Sequence, residues 1–193
     1  MQGRAARTRE ELIRGAAVCM DAQGYRGATL TAISKLCNVS IGALTFHFPD
    51  KTSLAAAVVQ AGAAAVREAV EAASEEDDSP LRAVGALLRT LARLLEEDVV
   101  VRATALLARE RADIADDWHE AWMPRLAELA EQADARGELD AGGGPQLVVA
   151  LAGWLLVAAE AYPRTRPGRR AGIGAELARV WPLIERGVAG RAV

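Results

Sequence analysis

Between residues 24 and 51 the chain carries an ordered set of helix stops and caps that few folds can use. Ahead of it, Leu12, Ile13, Ala16, Ala17 and Met20 recur at helical spacing and predict one helix from about Thr8 to Gln23. Gly24 follows, where a left-handed C-terminal residue would sit. Thr29 is an N-cap for a short helix from Leu30 to Cys37, with Leu30, Ile33 and Cys37 facing one way. Asn38 tolerates the left-handed backbone of a tight turn, Val39 plugs the angle, and Ser40 caps a second short helix from Ile41 to Phe46. Phe46 and Phe48 are assigned as apolar anchors. Pro49-Asp50 breaks the chain, and Asp50 caps a long helix from Lys51 to about Ala73. A supporting helix, two short capped helices and a tight turn make a three-helix helix-turn-helix unit.

The rest of the 193 residues reads as helix too, because Ala, Leu, Val, Glu and Arg dominate and only 4% of residues are aromatic. Further helices are predicted at Pro80–Glu97, Val99–Arg111, Asp116–Arg136 with a kink or restart at Pro124, Pro145–Tyr162 and Ala175–Val188. The acidic stretch Ser74–Ser79 and the basic stretch Pro163–Gly174 read as loops. The expectation is an all-α chain of nine helices, with a helix-turn-helix domain at 1–53 and a ligand-binding and dimerisation domain at 54–193. Gly142-Gly143-Gly144 lacks the Lys-Ser/Thr of a phosphate loop. No nucleophile–base pair, metal-ligand spacing or cofactor loop is evident, so an enzyme, a cofactor and a metal are not expected. Cys19 and Cys37 form no CxxC pair and read as small core residues, which fits a cytoplasmic chain. The apolar run Leu147–Ala159 is shorter than the roughly 18 residues of a membrane span and reads as a buried helix.

Charge is unevenly spread. Residues 1–51 hold seven basic and four acidic side chains, while the whole chain is at −3, so the head is positive and the body negative. A basic head on an acidic body suits a DNA-reading module joined to a module of another kind.

The stretch Thr8–Leu54 resembles the DNA-binding domain of the tetracycline-repressor (TetR) family. The residues that carry it are Gly24-Tyr25, Ala28-Thr29-Leu30, Ile33, Val39-Ser40, Gly42-Ala43-Leu44, Phe46-His47-Phe48, Asp50-Lys51 and Leu54. A narrower resemblance, to the γ-butyrolactone receptors of actinomycetes, rests on Val99–Leu107, Asp117–Glu120, Arg125-Leu126, Gly137–Asp140 and Leu177–Gly187. The resemblance implies a repressor of double-stranded DNA with a pseudo-palindromic operator, released by a small apolar ligand such as a lactone or furan. A pseudo-receptor sensing an antibiotic or intermediate, and a dimeric small-molecule binder that has lost DNA, are the alternatives. The family usually has Lys at the position of Ile41 and Tyr at that of Thr45, so the reading helix here is uncharged from Ile41 to Phe46.

By resemblance and position, Thr29, Thr45, His47 and Lys51 would hold phosphates, and Ser40, Ile41, Gly42 and Ala43 would lie nearest the base edges. Arg4, Arg7 and Arg9 would form an arm on the backbone or in a minor groove. Leu87, Leu88, Leu91, Thr104 and Leu107 are expected to line the ligand pocket. Trp118 and Trp122, four apart on one helix, share a face that either packs in the core or meets ligand. The resemblance assigns Trp118 to the ligand, and Trp122 and Trp154 are further candidates. The helix around Leu147–Ala159 has almost no polar face, so one side is expected to meet a second subunit. Leu151, Leu155, Leu177, Trp181 and Ile184 are the expected contacts of a four-helix homodimer interface. No membrane partner is expected.

Overall fold

In the computed structural model, residues 2–73, 79–114, 116–140, 142–165 and 172–190 are described. They form ten α-helices with no strand among them: α1 (Gln2–Gly27), α2 (Leu30–Leu36), α3 (Ile41–His47), α4 (Lys51–Ala72), α5 (Pro80–Glu97), α6 (Val99–Glu110), α7 (Asp116–Glu120), α8 (Met123–Ala135), α9 (Gly144–Thr165) and α10 (Ile173–Val188). Most of the two expected loops, at 74–79 and 163–174, lies outside the described residues. Two compact units emerge, Met1–Ala65 with Asp98–His119, and Val66–Glu97 with Glu120–Val193.

The first unit holds the head, together with α6 and α7. The stripe of α1 is buried as its spacing requires: Leu12, Ala16, Ala17 and Met20 are sealed, with Ile33, Leu44, Phe48, Leu54 and Val58 in the same core. Inside α1, Gly24 takes φ 73°, the break its sequence position calls for. A Cβ there would be strained by the backbone and, at 2.9 Å from the Glu110 carboxylate, would require that side chain to shift. Thr29 Oγ1 accepts from Ala32 N at 3.1 Å, Ser40 Oγ accepts from Ala43 N at 3.1 Å, and Asn38 adopts φ 53°. Helix α6 packs on α1 and is started by Asp98, whose carboxylate accepts from Val100 N at 2.7 Å.

In the second unit α5 packs against α8, α9 and α10. Leu81, Val84, Leu87, Leu88, Leu91 and Leu95 are all buried, the inward face that their spacing defines. Glu138 ties the start of α5 down, accepting from Ser79 Oγ at 2.8 Å and from Leu81 N at 3.0 Å.

The helix count is ten rather than nine, because the segment expected as one helix from Asp116 divides at Ala121-Trp122 into α7 and α8. Pro124 has no N–H to give and sits in the first turn of the new helix, where none is needed. Two of the expected dimer contacts are also reassigned. Leu177 and Trp181 are buried within their own unit, and the indole of Trp181, 1% exposed, rests against α5 where a Cβ on Gly85 would overlap it. The apolar surface left open is Leu147, Trp154 and Val157 on α9 and Leu183 on α10, with Leu151, Leu155 and Ile184 half-buried beside them. Trp154, at 67% exposed, lies on this outer face. The run Leu147–Ala159 belongs to a 22-residue helix, so its length does not exclude a membrane span as expected. By length and composition both α4 and Gly144–Ala161 could cross a membrane; in this fold α4 is half buried, and α9 buries Val148, Ala152, Leu156 and Ala159.

Candidate nucleic-acid interface

The two short helices of the head are set by local chemistry. Leu44 and Phe48 are four apart and both enter the core. Of the three residues between them, Thr45 and Phe46 are exposed on the outer side of α3 and His47 is half-buried. Phe46 is 83% exposed, which corrects its assignment as a core anchor: only Phe48 has that role. Its ring stands edge-on to His47, centroids 5.4 Å apart. Ser40, Ile41, Gly42 and Thr45 are exposed along the same helix, while Ala43 and His47 are half-buried.

The hydroxyls expected to reach DNA have internal partners. Ser40 and Thr29 are engaged as caps, and Thr45 Oγ1 donates back to Ile41 O at 3.0 Å and to Gly42 O at 3.3 Å. Thr45 can give its proton to a phosphate only by turning its side chain.

Lys51 is committed to the head itself. Its Nζ donates to Tyr25 O at 3.0 Å and Ala28 O at 3.1 Å, closing carbonyls left open where α1 ends, and lies 4.4 Å from the Tyr25 ring centroid. Arg111 covers that ring as well, 4.2 Å from the centroid, and is forked on Asp113 at 2.8 and 2.6 Å. This forked bond holds the Asp113 carboxyl below its ordinary range. Tyr25 N donates to Glu110 at 2.7 Å, and the Tyr25 hydroxyl meets Thr52 Oγ1 at 3.0 Å. Lys51→Ala is thus expected to destabilise the first unit by about 1–3 kcal/mol through lost charged hydrogen bonds, readable as a lower urea midpoint. An unchanged midpoint would show that these bonds carry no net stability.

Asp50 starts α4 as the sequence requires. Ser53 N donates to its carboxylate at 2.7 Å and the Ser53 hydroxyl donates to Asp50 O at 2.8 Å; hydrogen bonding to the carboxylate, first from the Ser53 backbone N–H and then from the Ser53 side chain, holds the Asp50 carboxyl below its usual range. The folded group binds its proton less tightly than the unfolded one. Its stabilisation is therefore complete above the ordinary carboxylate pKa and disappears as pH falls through the lower folded value. Circular dichroism between about pH 4 and pH 2 should show a smaller loss of stability for Asp50→Asn than for the unaltered chain. Parallel acid titrations of the two would remove Asp50 from this role.

Of the arm, Arg7 and Arg9 are exposed, Arg9 lying 5.1 Å from the Phe48 ring centroid, and the side chain of Arg4 lies outside the described residues. Cys19 is buried in the head core, and Cys37 donates to Glu11 O at 3.5 Å; burial pushes both thiols up.

The expected ligand residues divide between the units. Thr104, Leu107 and Trp118 belong to the first and are sealed there. The Thr104 hydroxyl donates to Val58 O at 3.1 Å, so it is spent on α4 rather than free for a head group. Clefts open on this unit among the described residues. One of about 260 Å³ is lined by Ala56, Val59, Gln60, Asp113, Ile114 and Asp117, and one of about 560 Å³ by residues 23–26, Glu110 and Arg111. Neither includes Thr104, Leu107 or Trp118. Leu87, Leu88, Leu91 and Trp122 are buried in the second unit, where Leu87 borders a void of about 10 Å³, room for one water.

Residues 12–58 match the family model for bacterial regulatory proteins of the tetR family. They are a TetR-family N-terminal domain. That domain is accompanied by wider likenesses. The A-factor receptor protein of Streptomyces griseus is 28% identical over 140 residues, 72% of this chain and 48% of that one. The HTH-type transcriptional repressor AcnR of Corynebacterium glutamicum is 36% identical over 63 residues, a third of each chain. This chain thus aligns with about half or less of the length of these curated relatives. Among solved structures, a gamma-butyrolactone receptor (ArpA like protein) aligns at a TM-score of 0.79 with 26% identity, covering 96% of this chain and 90% of that one. The TetR family protein CprB from S. coelicolor A3(2) aligns at 0.76 with 26% identity, covering 96% and 91%.

Proposed function

We propose that this chain is a ligand-responsive transcriptional repressor that binds a pseudo-palindromic operator as a homodimer in the bacterial cytoplasm. It is released by a small γ-butyrolactone-like or furan-like signal. The observation that carries the reading is the head itself: a Thr-capped helix, a left-handed Asn38, a Ser-capped helix and an Asp-capped long helix, within a TetR-family domain. The likeness to a solved structure named as a gamma-butyrolactone receptor supports the choice of ligand class. Residues 1–53 act as the DNA-binding domain. Arg4, Arg7 and Arg9 supply charge, and α3 enters the major groove. The open face of α9, with Leu183, supplies the two-fold contact.

Release requires that ligand and operator favour different states of the dimer, and the coupling is reciprocal: whatever ligand does to operator affinity, operator does to ligand affinity. Helix α4 starts at the head and is the natural lever. Trp118 is the ligand contact retained in this reading. The test is a band-shift titration with genomic fragments, followed by a panel of butyrolactones, butenolides and furans. Expected are a preferred fragment, and its release by one class of the panel. A chain that binds no fragment above background overturns the repressor reading. Binding that persists at every saturating panel compound overturns the ligand class.

A further inference from the structure

Base edges are commonly read through bidentate hydrogen bonds from Arg, Lys, Asn or Gln. Helix α3 has none of these from Ile41 to Phe46. At its N-cap Ser40 Oγ accepts from Ala43 N, and the Thr45 hydroxyl donates to the carbonyls of Ile41 and Gly42. Beyond the cap the outer surface is therefore largely apolar. At 100° per residue, Gly42 and Phe46 lie together on the side opposite buried Leu44, flanked by Ile41 and Thr45.

Two features of this surface are turned away from the core of the head. Phe46, 83% exposed, and Ile41, 43% exposed, stand in water. Gly42 is a poorer helix former than Ala, yet a Cβ there would meet nothing closer than Ser40 Oγ at 3.9 Å. A notch beside a projecting ring is a shape for something outside the chain. Exposed cations on the same head (Arg7, Arg9, Arg14 and Lys35) make that partner a polyanion. The apolar group that duplex DNA presents in its major groove is the C5-methyl of thymine.

We propose that this chain selects its DNA by C5-methyl groups, which Phe46 and Ile41 contact and the notch at Gly42 admits. Phosphate contacts supply most of the affinity, and the methyls supply the choice of sequence. The inference rests on the reading that the head binds duplex DNA.

The full-length chain is used to select from a random-sequence duplex library. The recovered duplexes are then resynthesised with deoxyuridine in place of thymidine, which removes the methyl and leaves every hydrogen-bonding edge intact. Each contacted methyl lost should weaken binding about fourfold, the equivalent of the ~0.8 kcal/mol of one buried methylene, and two or more should compound to over tenfold. Phe46→Ala, at an exposed position and so without cost to the core, should collapse the thymine-to-uracil ratio to within about twofold. Equal binding of thymine and uracil duplexes overturns the inference and leaves DNA binding standing. So does a Phe46→Ala protein that keeps the full ratio. Recovery of no preferred duplex overturns both.

Discussion

Trp154→Glu is expected to convert the proposed homodimer to a folded monomer. The open face of α9 carries Leu147, Trp154 and Val157, with half-buried Leu151 and Leu155 and, from α10, Leu183. Trp154 is the largest side chain on it, and a central Trp is the type whose removal from an interface costs most. At a two-fold contact a substitution enters twice, so two carboxylates would be taken out of water near one another. A loss of about 4 kcal/mol corresponds to roughly a thousandfold in Kd. Sedimentation velocity at micromolar concentration should give twice the chain mass for the unaltered protein and the single mass for Trp154→Glu. Because Trp154 is exposed in the single chain, the variant should keep its helical circular dichroism. A dimeric Trp154→Glu, or a monomeric parent protein, would move the contact elsewhere or abolish it.

Trp118→Ala is expected to weaken the first unit by about 3–5 kcal/mol. Trp118 is 1% exposed and among the largest fully sealed side chains in the chain. Truncation removes its burial and leaves a void that helices already packed on either side cannot close. In a chain of this size that corresponds to a fall in melting temperature of roughly 10 °C or more. Native stabilities are only about 5–15 kcal/mol, so the alanine variant reports on the fold and not on ligand. Trp118→Phe keeps most of the volume and is the substitution that tests the proposed ligand contact. It should fold and bind DNA, yet need more ligand for release. A Trp118→Ala protein melting with the parent would show that the site is not packed as its burial requires.

These two tryptophans also mark where the sequence was legible and where it was not. Caps act over three or four residues, so Thr29, Asn38, Ser40 and Asp50 could each be placed from their neighbours alone, and each has the geometry expected. The inward face of α5 was equally local, because periodicity identifies an apolar stripe. Periodicity does not say what covers the stripe. Leu177 and Trp181 looked like interface and are buried within their own unit, Trp181 against α5, while Trp154 is exposed on the single chain. Thr104 looked like a ligand's hydrogen-bond partner, and its proton goes to a carbonyl 46 residues away. Phe46 was misplaced for another reason: hydrophobicity was read in place of phase. With Leu44 and Phe48 four apart on one side, the residue midway between them belongs on the other.

Gly24 and Glu110 are bound to each other's history. The glycine holds a left-handed turn, and the carboxylate fills the space a methyl group would need while accepting the Tyr25 amide proton. An alanine arriving at position 24 meets the strain and the collision at once. A smaller residue arriving first at position 110 loses one hydrogen bond but clears the collision. Descendants of this chain can thus walk away from the pair in one order far more easily than in the other, and the ease of each step depends on which residue has already changed.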